Sequence, residues 1–321
     1  MTVEVLRGGW LTTLQDGGRR GHAAAGIGRA GAMDEVALRL SNALVGNAPD
    51  APALEATLQG PLLRIEVATT IALAGAAFDL RIDGVPAPAW RPLPVAAGAL
   101  VDLGRARRGC RGYLALAGGF AADPVLGSVA MDLNAGLGPF GGRPLASGDV
   151  LSTGTPRTAL AGIPSWSLDP RPWFDPDPHR VLRLLPGSHE AAFTAAARAA
   201  LFDGTFRIDP ASNRVGLRLQ GSTLALAAPL EIASTPVAPG TVQVPPDGQP
   251  IVLMAEHPVT GGYPRIAQVA AIDLPFLAQR RPGDAVRFAP IGIEEAQTRY
   301  LAREEALQRL ALDLHQRLRE P

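Results

Sequence analysis

The chain has 321 residues, 47% of them hydrophobic and 19% charged, with a formal net charge of +0 at pH 7. That composition describes a globular protein with one large domain or two ordinary ones. A neutral chain lacks the field that draws DNA, RNA or anionic lipid, so no nucleic-acid or membrane partner is expected. All 30 basic residues are arginine, which excludes Schiff-base chemistry, a Walker-type phosphate lysine, a lysine general base and a biotin-carrying lysine.

The 36 Gly and 30 Pro are spread throughout and separate short apolar runs. These runs are Val3–Leu6, Leu62–Val67, Thr70–Leu73, Tyr113–Ala117, Val181–Leu185, Ile251–Met254 and Ala285–Phe288. Many short strands with Gly/Pro turns predict a barrel or sandwich rather than a doubly wound sheet. Helices interrupt them. The first starts at Asp34 as N-cap, carries Val36, Leu40, Ala43 and Leu44 on one face, and stops at Gly46-Asn47. A second spans about 188–201. A third is capped by Asp273 with Pro275 in its first turn. The fourth runs from about Glu294 to the end, with Leu307, Leu310, Leu314 and Leu318 as an apolar stripe. The single cysteine, Cys110, lies in an alternating strand pattern and is expected to be buried and free, without an internal disulfide. No stretch reaches the roughly 18 apolar residues of a membrane span. The first residues lack a basic segment leading into an apolar run, so the cytoplasm is the expected compartment.

This organisation divides the chain into an N-terminal β lobe (1–160), a Pro-rich linker (161–178), a C-terminal β lobe (179–292) and a C-terminal helix (293–321). The proline density of the linker removes backbone donors and breaks both helix and sheet. A weak echo crosses it: Val3–Gly8 resembles Val181–Gly187, Leu58–Leu63 resembles Leu219–Leu224, and Ser147–Val150 resembles Pro282–Val286. The order is kept and the spacing is not, which fits two related β lobes and, equally, a recurrence of common turn words.

Four segments concentrate polar residues and glycine that no core requires. In Thr13–Gly21, Asp16 before two glycines suits a turn whose carboxylate caps backbone N–H groups, and Arg19 can pair with it or face an anion. Gly26–Asp34 contains Gly-x-Gly-x-x-Gly, but the segment before it is Gly-rich and turn-like instead of the strand a dinucleotide site needs, and Asp34 reads as the helix cap; a general anion site remains open. Asn213-Arg214 stands at a turn before a strand, able to offer an amide and a guanidinium, or to serve only as a turn. The fourth holds Glu231–Pro250 and Glu256–Gln268. Pro245–Gly248 is a hairpin turn, and in Thr260–Arg265 two glycines precede a tyrosine and an arginine, an arrangement suited to close contact with a ligand. The five histidines are scattered, without zinc spacing, and no metal site is expected.

Together these segments resemble the allophanate hydrolase subunit 2 family, also called the KipA or biotin-dependent carboxyltransferase family, whose stand-alone bacterial members include the C-type subunits of 5-oxoprolinases. The likeness is carried by Thr13–Gly21, Gly31–Asp34, Ala43–Asn47 with Leu54-Glu55, Ser212–Gly216, Pro239–Gly248 and Thr260–Arg265. It implies a mainly β, cyclophilin-like β-barrel architecture in two lobes. It also implies an ATP-dependent 5-oxoprolinase complex, with Mg on the nucleotide, that opens the lactam of 5-oxoproline to glutamate. The implied partners are a KipI or subunit 1-type protein and a LamB/YcsF-type subunit, with no cofactor tightly bound to this chain. Under the resemblance, Arg19, Arg214 and Arg265 are anion clamps. Asp16, Asp34 and Glu55 orient them or bind the metal on the nucleotide, and Asn213, Gln243, Gly261, Gly262 and Tyr263 contact substrate. Two alternatives accompany this reading. One is the carboxyltransferase component of a urea carboxylase-type system, which takes its carboxylate from biotin; the other is a regulatory protein that sequesters a KipI-type kinase inhibitor. The chain departs from the family pattern at Gly28 and Ala30, at Thr235, at Pro258-Val259 and at Arg265, where the family often has lysine.

Overall fold

The computed structural model describes residues 2–155, 164–175, 177 and 179–319. Of the linker expected over 161–178, positions 161–163, 176 and 178 lie outside the described residues. The chain divides into two compact units: Met1–Arg20, Ala30–Pro176 and Glu305–Pro321 in the first, Gly21–Arg29 and Asp177–Glu304 in the second.

The first unit contains β1 (Thr2–Arg7), β2 (Leu11–Gln15), α1 (Glu35–Leu44), β3 (Ala53–Thr57), β4 (Leu62–Ile65), β5 (Thr69–Phe78), β6 (Arg81–Ile82), β7 (Val85–Pro86), β8 (Leu93–Val95), β9 (Leu100–Asp102), β10 (Ala106–Leu116), β11 (Phe120–Ala121) and β12 (Val150–Thr153). They build two sheets, ordered β11-β12-β1-β4-β9-β6-β7 and β2-β3-β10-β5-β8. Alternation along each strand sends Val3, Val5, Leu63 and Val101 from the first sheet and Leu54, Leu73 and Leu114 from the second into one core. Each such side chain contributes about 1.5–3 kcal/mol on burial. The other face of the second sheet is also buried. There Ala72, Tyr113 and Ala115 lie under Ala37, Leu38 and Leu44 of α1, so β5 is buried along nearly its whole length and β10 from Gly109 to Leu116. Cys110 is buried, as expected.

Asp34 caps α1 through its side chain, which accepts the Ala37 N–H at 2.9 Å. Of the apolar stripe on the final helix, Leu307 packs with Val36, Leu40 and Trp90, and Leu314 packs with the Ala37–Leu38 cluster.

The second unit contains β13 (Val181–Pro186), α2 (Ala195–Asp203), β14 (Phe206–Ile208), β15 (Gly216–Gln220), β16 (Thr235–Pro236), β17 (Thr241–Gln243), β18 (Ile251–Leu253), β19 (Thr260–Gly261), β20 (Arg265–Val269), α3 (Leu274–Ala278), β21 (Ala285–Pro290) and the start of α4 (Ile293–Arg317). Seven of its strands close a barrel, β13-β20-β17-β18-β15-β14-β21, with β13 and β21 pairing in parallel. Leu182, Leu184, Phe206, Leu217, Val242, Val252 and Phe288 are among its buried strand residues. The expected Pro245–Gly248 turn joins β17 to β18, with Gly248 N–H bonded to Pro245 O at 2.9 Å. β16 and β19 pair as a separate ribbon.

Two helix expectations change in detail. The helix expected over 188–201 splits into a 3-10 turn, Glu190–Ala192, and α2. Phe193 between them is extended and buried, and Thr194 caps α2 by accepting the Ala197 N–H at 3.0 Å. Asp273 precedes α3 but makes no side-chain cap. Its carboxylate instead accepts Arg183 Nε at 2.7 Å and Nη2 at 2.5 Å. Among the described residues, no helix is long and apolar enough to cross a membrane.

Candidate functional site

In the first unit, β2 delivers Asp16 into a loop crossing. Asp16 Oδ1 accepts Gly18 N–H at 2.8 Å and the Ser128 hydroxyl at 2.6 Å, and Oδ2 accepts Val129 N–H at 2.8 Å. The carboxylate caps backbone, as its place before two glycines implies. Gly31 lies against the same turn with φ +88, and a Cβ there would stand 2.9 Å from Gly18 N. Arg19 is buried and its Nη2 donates to Ala130 O in the loop that Asp16 holds.

A second cluster lies where α1 meets the sheet. Glu55 on β3 and Tyr113 on β10 are Cα partners. Glu55 Oε2 accepts the Tyr113 hydroxyl at 2.6 Å and the Met33 N–H at 2.9 Å. Tyr113 in turn accepts Asp34 N–H at 2.7 Å. Arg111 Nε stands 3.9 Å from Glu55 Oε1, both side chains being buried. Burial first, then the charges of Glu55 and Asp34, pushes the Tyr113 pKa well above its ordinary value.

The second unit holds the other candidates. Arg214 and Glu256 form a buried ion pair, Nε to Oε1 at 2.5 Å, with side chains 2% and 1% exposed. Asn213 is exposed and its Oδ1 accepts Val215 N–H at 2.9 Å, the geometry of a turn. His257 follows Glu256. Its Nδ1 lies 2.7 Å from Pro258 O, which fixes the proton on that nitrogen. Burial, opposed by the Pro258 bond and reinforced by the Arg29 charge, lowers its pKa.

Gln243 and Arg265 face each other across β17 and β20 as Cα partners. Arg265 Nη2 donates to Thr235 Oγ1, to Thr235 O at 3.2 Å and to Gly261 O at 3.3 Å, so the β16–β19 ribbon fixes the guanidinium. Gln243 is buried, and its Nε2 has no hydrogen-bond partner among the described residues. A Cβ on Gly261 would stand 2.3 Å from that nitrogen, so only glycine leaves the amide its place. Tyr263, 46% exposed, and Gly262 lie at the tip of the same segment.

Against this geometry, the family model described as "Carboxyltransferase domain, subdomain A and B" matches residues 25–290. The chain belongs to this carboxyltransferase family. It is 38% identical to the C-type subunit of the Escherichia coli 5-oxoprolinase over 98% of this chain and 99% of that protein. It is 39% identical to the corresponding Haemophilus influenzae 5-oxoprolinase subunit over 92% and 93% of the two chains. Its fold matches the crystal structure of Kluyveromyces lactis urea carboxylase with a TM-score of 0.88 at 27% identity. That match covers 96% of this chain and 29% of the larger protein.

Within this carboxyltransferase-family chain, Gln243, Gly261 and Arg265 come together in one unit. Arg214 is matched by Glu256, and Asp16, Arg19, Asp34 and Glu55 are engaged in the first unit. Sequence reading missed Tyr113, Arg111, Glu256 and His257 as site members. Tyr113 and Arg111 sit in a run that alternates like an ordinary core strand, and Glu256 shows its role only through an arginine 42 positions away.

Proposed function

We propose that this chain is a subunit of an ATP-dependent 5-oxoprolinase that converts 5-oxoproline to glutamate, together with a KipI or subunit 1-type protein and a LamB/YcsF-type subunit, in the cytoplasm. The observation that carries this reading is the correspondence with two bacterial 5-oxoprolinase subunits over 92–98% of this chain. A lactam resists water because amide resonance withdraws electrophilicity from its carbonyl carbon. Transfer of the ATP γ-phosphoryl group to the lactam oxygen releases ADP and leaves a good leaving group on that carbon. Water then adds to that carbon, the C–N bond breaks to free the amine and leave an acyl phosphate, and a second water hydrolyses the acyl phosphate to carboxylate and phosphate.

The roles of this chain's residues follow from their surroundings. Arg265 serves as anion clamp, held by Thr235 and Gly261, with the Gln243 amide beside it and Tyr263 exposed at the rim. Arg214 is already neutralised by Glu256 and acts by positioning its turn. Arg19, Asp16, Asp34 and Glu55 hold the loops of the first unit. Mg accompanies the nucleotide, and this chain holds no resident cofactor.

The test is reconstitution with the partner subunits and assay of ATP-dependent glutamate release from 5-oxoproline. Arg265→Ala is expected to lower turnover about 10²–10³-fold. The match to urea carboxylase favours a second reading, a carboxyltransferase component acting on urea-like amides. Carboxylation that depends on a carboxybiotin donor, without glutamate release, would establish that reading instead.

A further inference from the structure

Beside Arg265 the second unit has an open, shallow cavity of about 370 Å³. Pro186, Pro236, Val237 and Ala267 line it with carbon, and Ser188 and Arg265 contribute polar groups. The remaining polar wall is already engaged: Thr241 Oγ1 donates to Gln268 Oε1 at 2.9 Å, and Gln268 Nε2 donates to Pro239 O at 2.7 Å. Among the described residues, no aspartate or glutamate lines the cavity.

Arg265 differs here from Arg183 and Arg214, two other arginines of the unit. Arg183 is paired with Asp273 and Arg214 with Glu256, whereas among the described residues Arg265 meets only neutral oxygens, through Nη2. Its Nε is buried without an acceptor. A guanidinium partly withdrawn from water, with neither counter-charge nor acceptor for one donor, carries a desolvation cost that a carboxylate removes. His189 backs the same residue: its backbone N–H donates to Arg265 O at 3.0 Å and its Nδ1 accepts the Arg265 backbone N–H at 3.2 Å. An accepting Nδ1 belongs to a neutral imidazole, and burial together with the Arg265 charge lowers the His189 pKa. The cavity therefore carries a single positive charge.

We infer that this cavity is a subsite for the carboxylate of a small organic monoanion with a compact apolar body, Arg265 receiving the carboxylate and the proline, valine and alanine walls receiving the carbon skeleton. A phosphate group fits less well, since it brings more charge and more acceptor oxygens than one guanidinium and one serine satisfy. The class of ligand stands on the cavity; only its identity as 5-oxoproline rests on the proposed function.

The full-length chain is titrated calorimetrically with 5-oxoproline, cyclopentanecarboxylate, 2-pyrrolidone and inorganic phosphate. Both carboxylates are expected to bind and to compete, with 2-pyrrolidone weaker by about tenfold or more and phosphate not displacing them. Arg265→Ala weakens both carboxylates about 10- to 100-fold. Arg265→Lys loses less, because the ammonium keeps the charge and not the fork. Val237→Trp fills the cavity and blocks binding with the charge intact. Equal binding of 2-pyrrolidone and 5-oxoproline, displacement by phosphate, or unchanged carboxylate binding in Arg265→Lys and Val237→Trp overturns the subsite. Cyclopentanecarboxylate binding by a chain whose reconstituted complex neither binds nor turns over 5-oxoproline overturns the proposed function and leaves the subsite standing. Turnover of 5-oxoproline with unchanged KM in both variants does the reverse.

Discussion

The Tyr113 hydroxyl donates to Glu55 Oε2 at 2.6 Å, and the same hydroxyl oxygen accepts the Asp34 N–H at the start of α1 at 2.7 Å. One phenol thus ties a sheet carboxylate to the residue that caps the helix. Tyr113→Phe leaves a buried carboxylate with one donor fewer and a buried N–H without its acceptor. The expected cost is about 2–3 kcal/mol in urea unfolding. Because the native Tyr113 pKa lies well above its ordinary value, the unfolded chain loses this proton near pH ~10 while the native chain keeps it. Stability is therefore present below that pH and falls as pH rises through it. The fall should be shallower in Tyr113→Phe; an identical alkaline slope in the two proteins would refute the link.

The Arg214–Glu256 pair predicts a different signature. Glu256→Gln leaves a guanidinium buried without its counter-charge, at an expected cost of about 3–5 kcal/mol. Replacing both partners, as in Arg214→Met with Glu256→Leu, removes the uncompensated charge and should cost less than Glu256→Gln alone. With the singles Arg214→Met and Glu256→Leu completing the cycle, additive losses in the double mutant, measured by denaturant midpoints, would show that the two side chains are not coupled.

What the sequence made legible was local. Asp34 reads as a cap because the N–H groups it serves lie within the next turn, and Pro245–Gly248 reads as a hairpin because the turn chemistry is written in consecutive residues. Asp273 carries the same local signal as Asp34, yet its carboxylate goes to Arg183, 90 positions away. A bidentate guanidinium outcompetes a single backbone N–H. The helix expected over 188–201 breaks because burial of Phe193 demands an extended backbone there, a tertiary demand that helix propensity does not record. Thr260–Arg265 stands out in sequence because two glycines precede a tyrosine and an arginine. Its contact with Gln243 does not, because it exists only once β17 and β20 are paired.

His257 carries a prediction for acid pH. Burial lowers its pKa and the Arg29 charge adds to this, while its Nδ1–H bond to Pro258 O works in the opposite direction. The unfolded chain takes up a proton near pH ~6.5 and the native chain only at lower pH. Stability is present above that range and declines as pH falls below it. His189, also lowered by burial and by Arg265, contributes in the same direction. Unfolding free energies of the wild type across pH 5 to 8 should fall toward the acid end. His257→Asn should flatten the curve in part, and a curve of unchanged slope would remove His257 from the account.

Gly261→Ala tests the centre of the candidate site. The new methyl would lie 2.3 Å from Gln243 Nε2, 3.2 Å from Gln243 Cδ and 3.3 Å from Val237 Cγ1. The contact is with the end of a side chain, so the Gln243 amide is expected to swing away at a cost of about 1–2 kcal/mol in thermal stability. Activity of the reconstituted complex should suffer far more, because the displaced amide stands beside the guanidinium that holds the substrate anion. Gln243→Ala removes the group that is struck, so adding Gly261→Ala to it should cost almost nothing further in stability while activity stays low. If Gly261→Ala destabilises the Gln243→Ala protein as much as it does the wild type, the clash lies elsewhere. If Gly261→Ala turns over substrate at the wild-type rate, the pairing of Gln243 with Arg265 has no part in the chemistry.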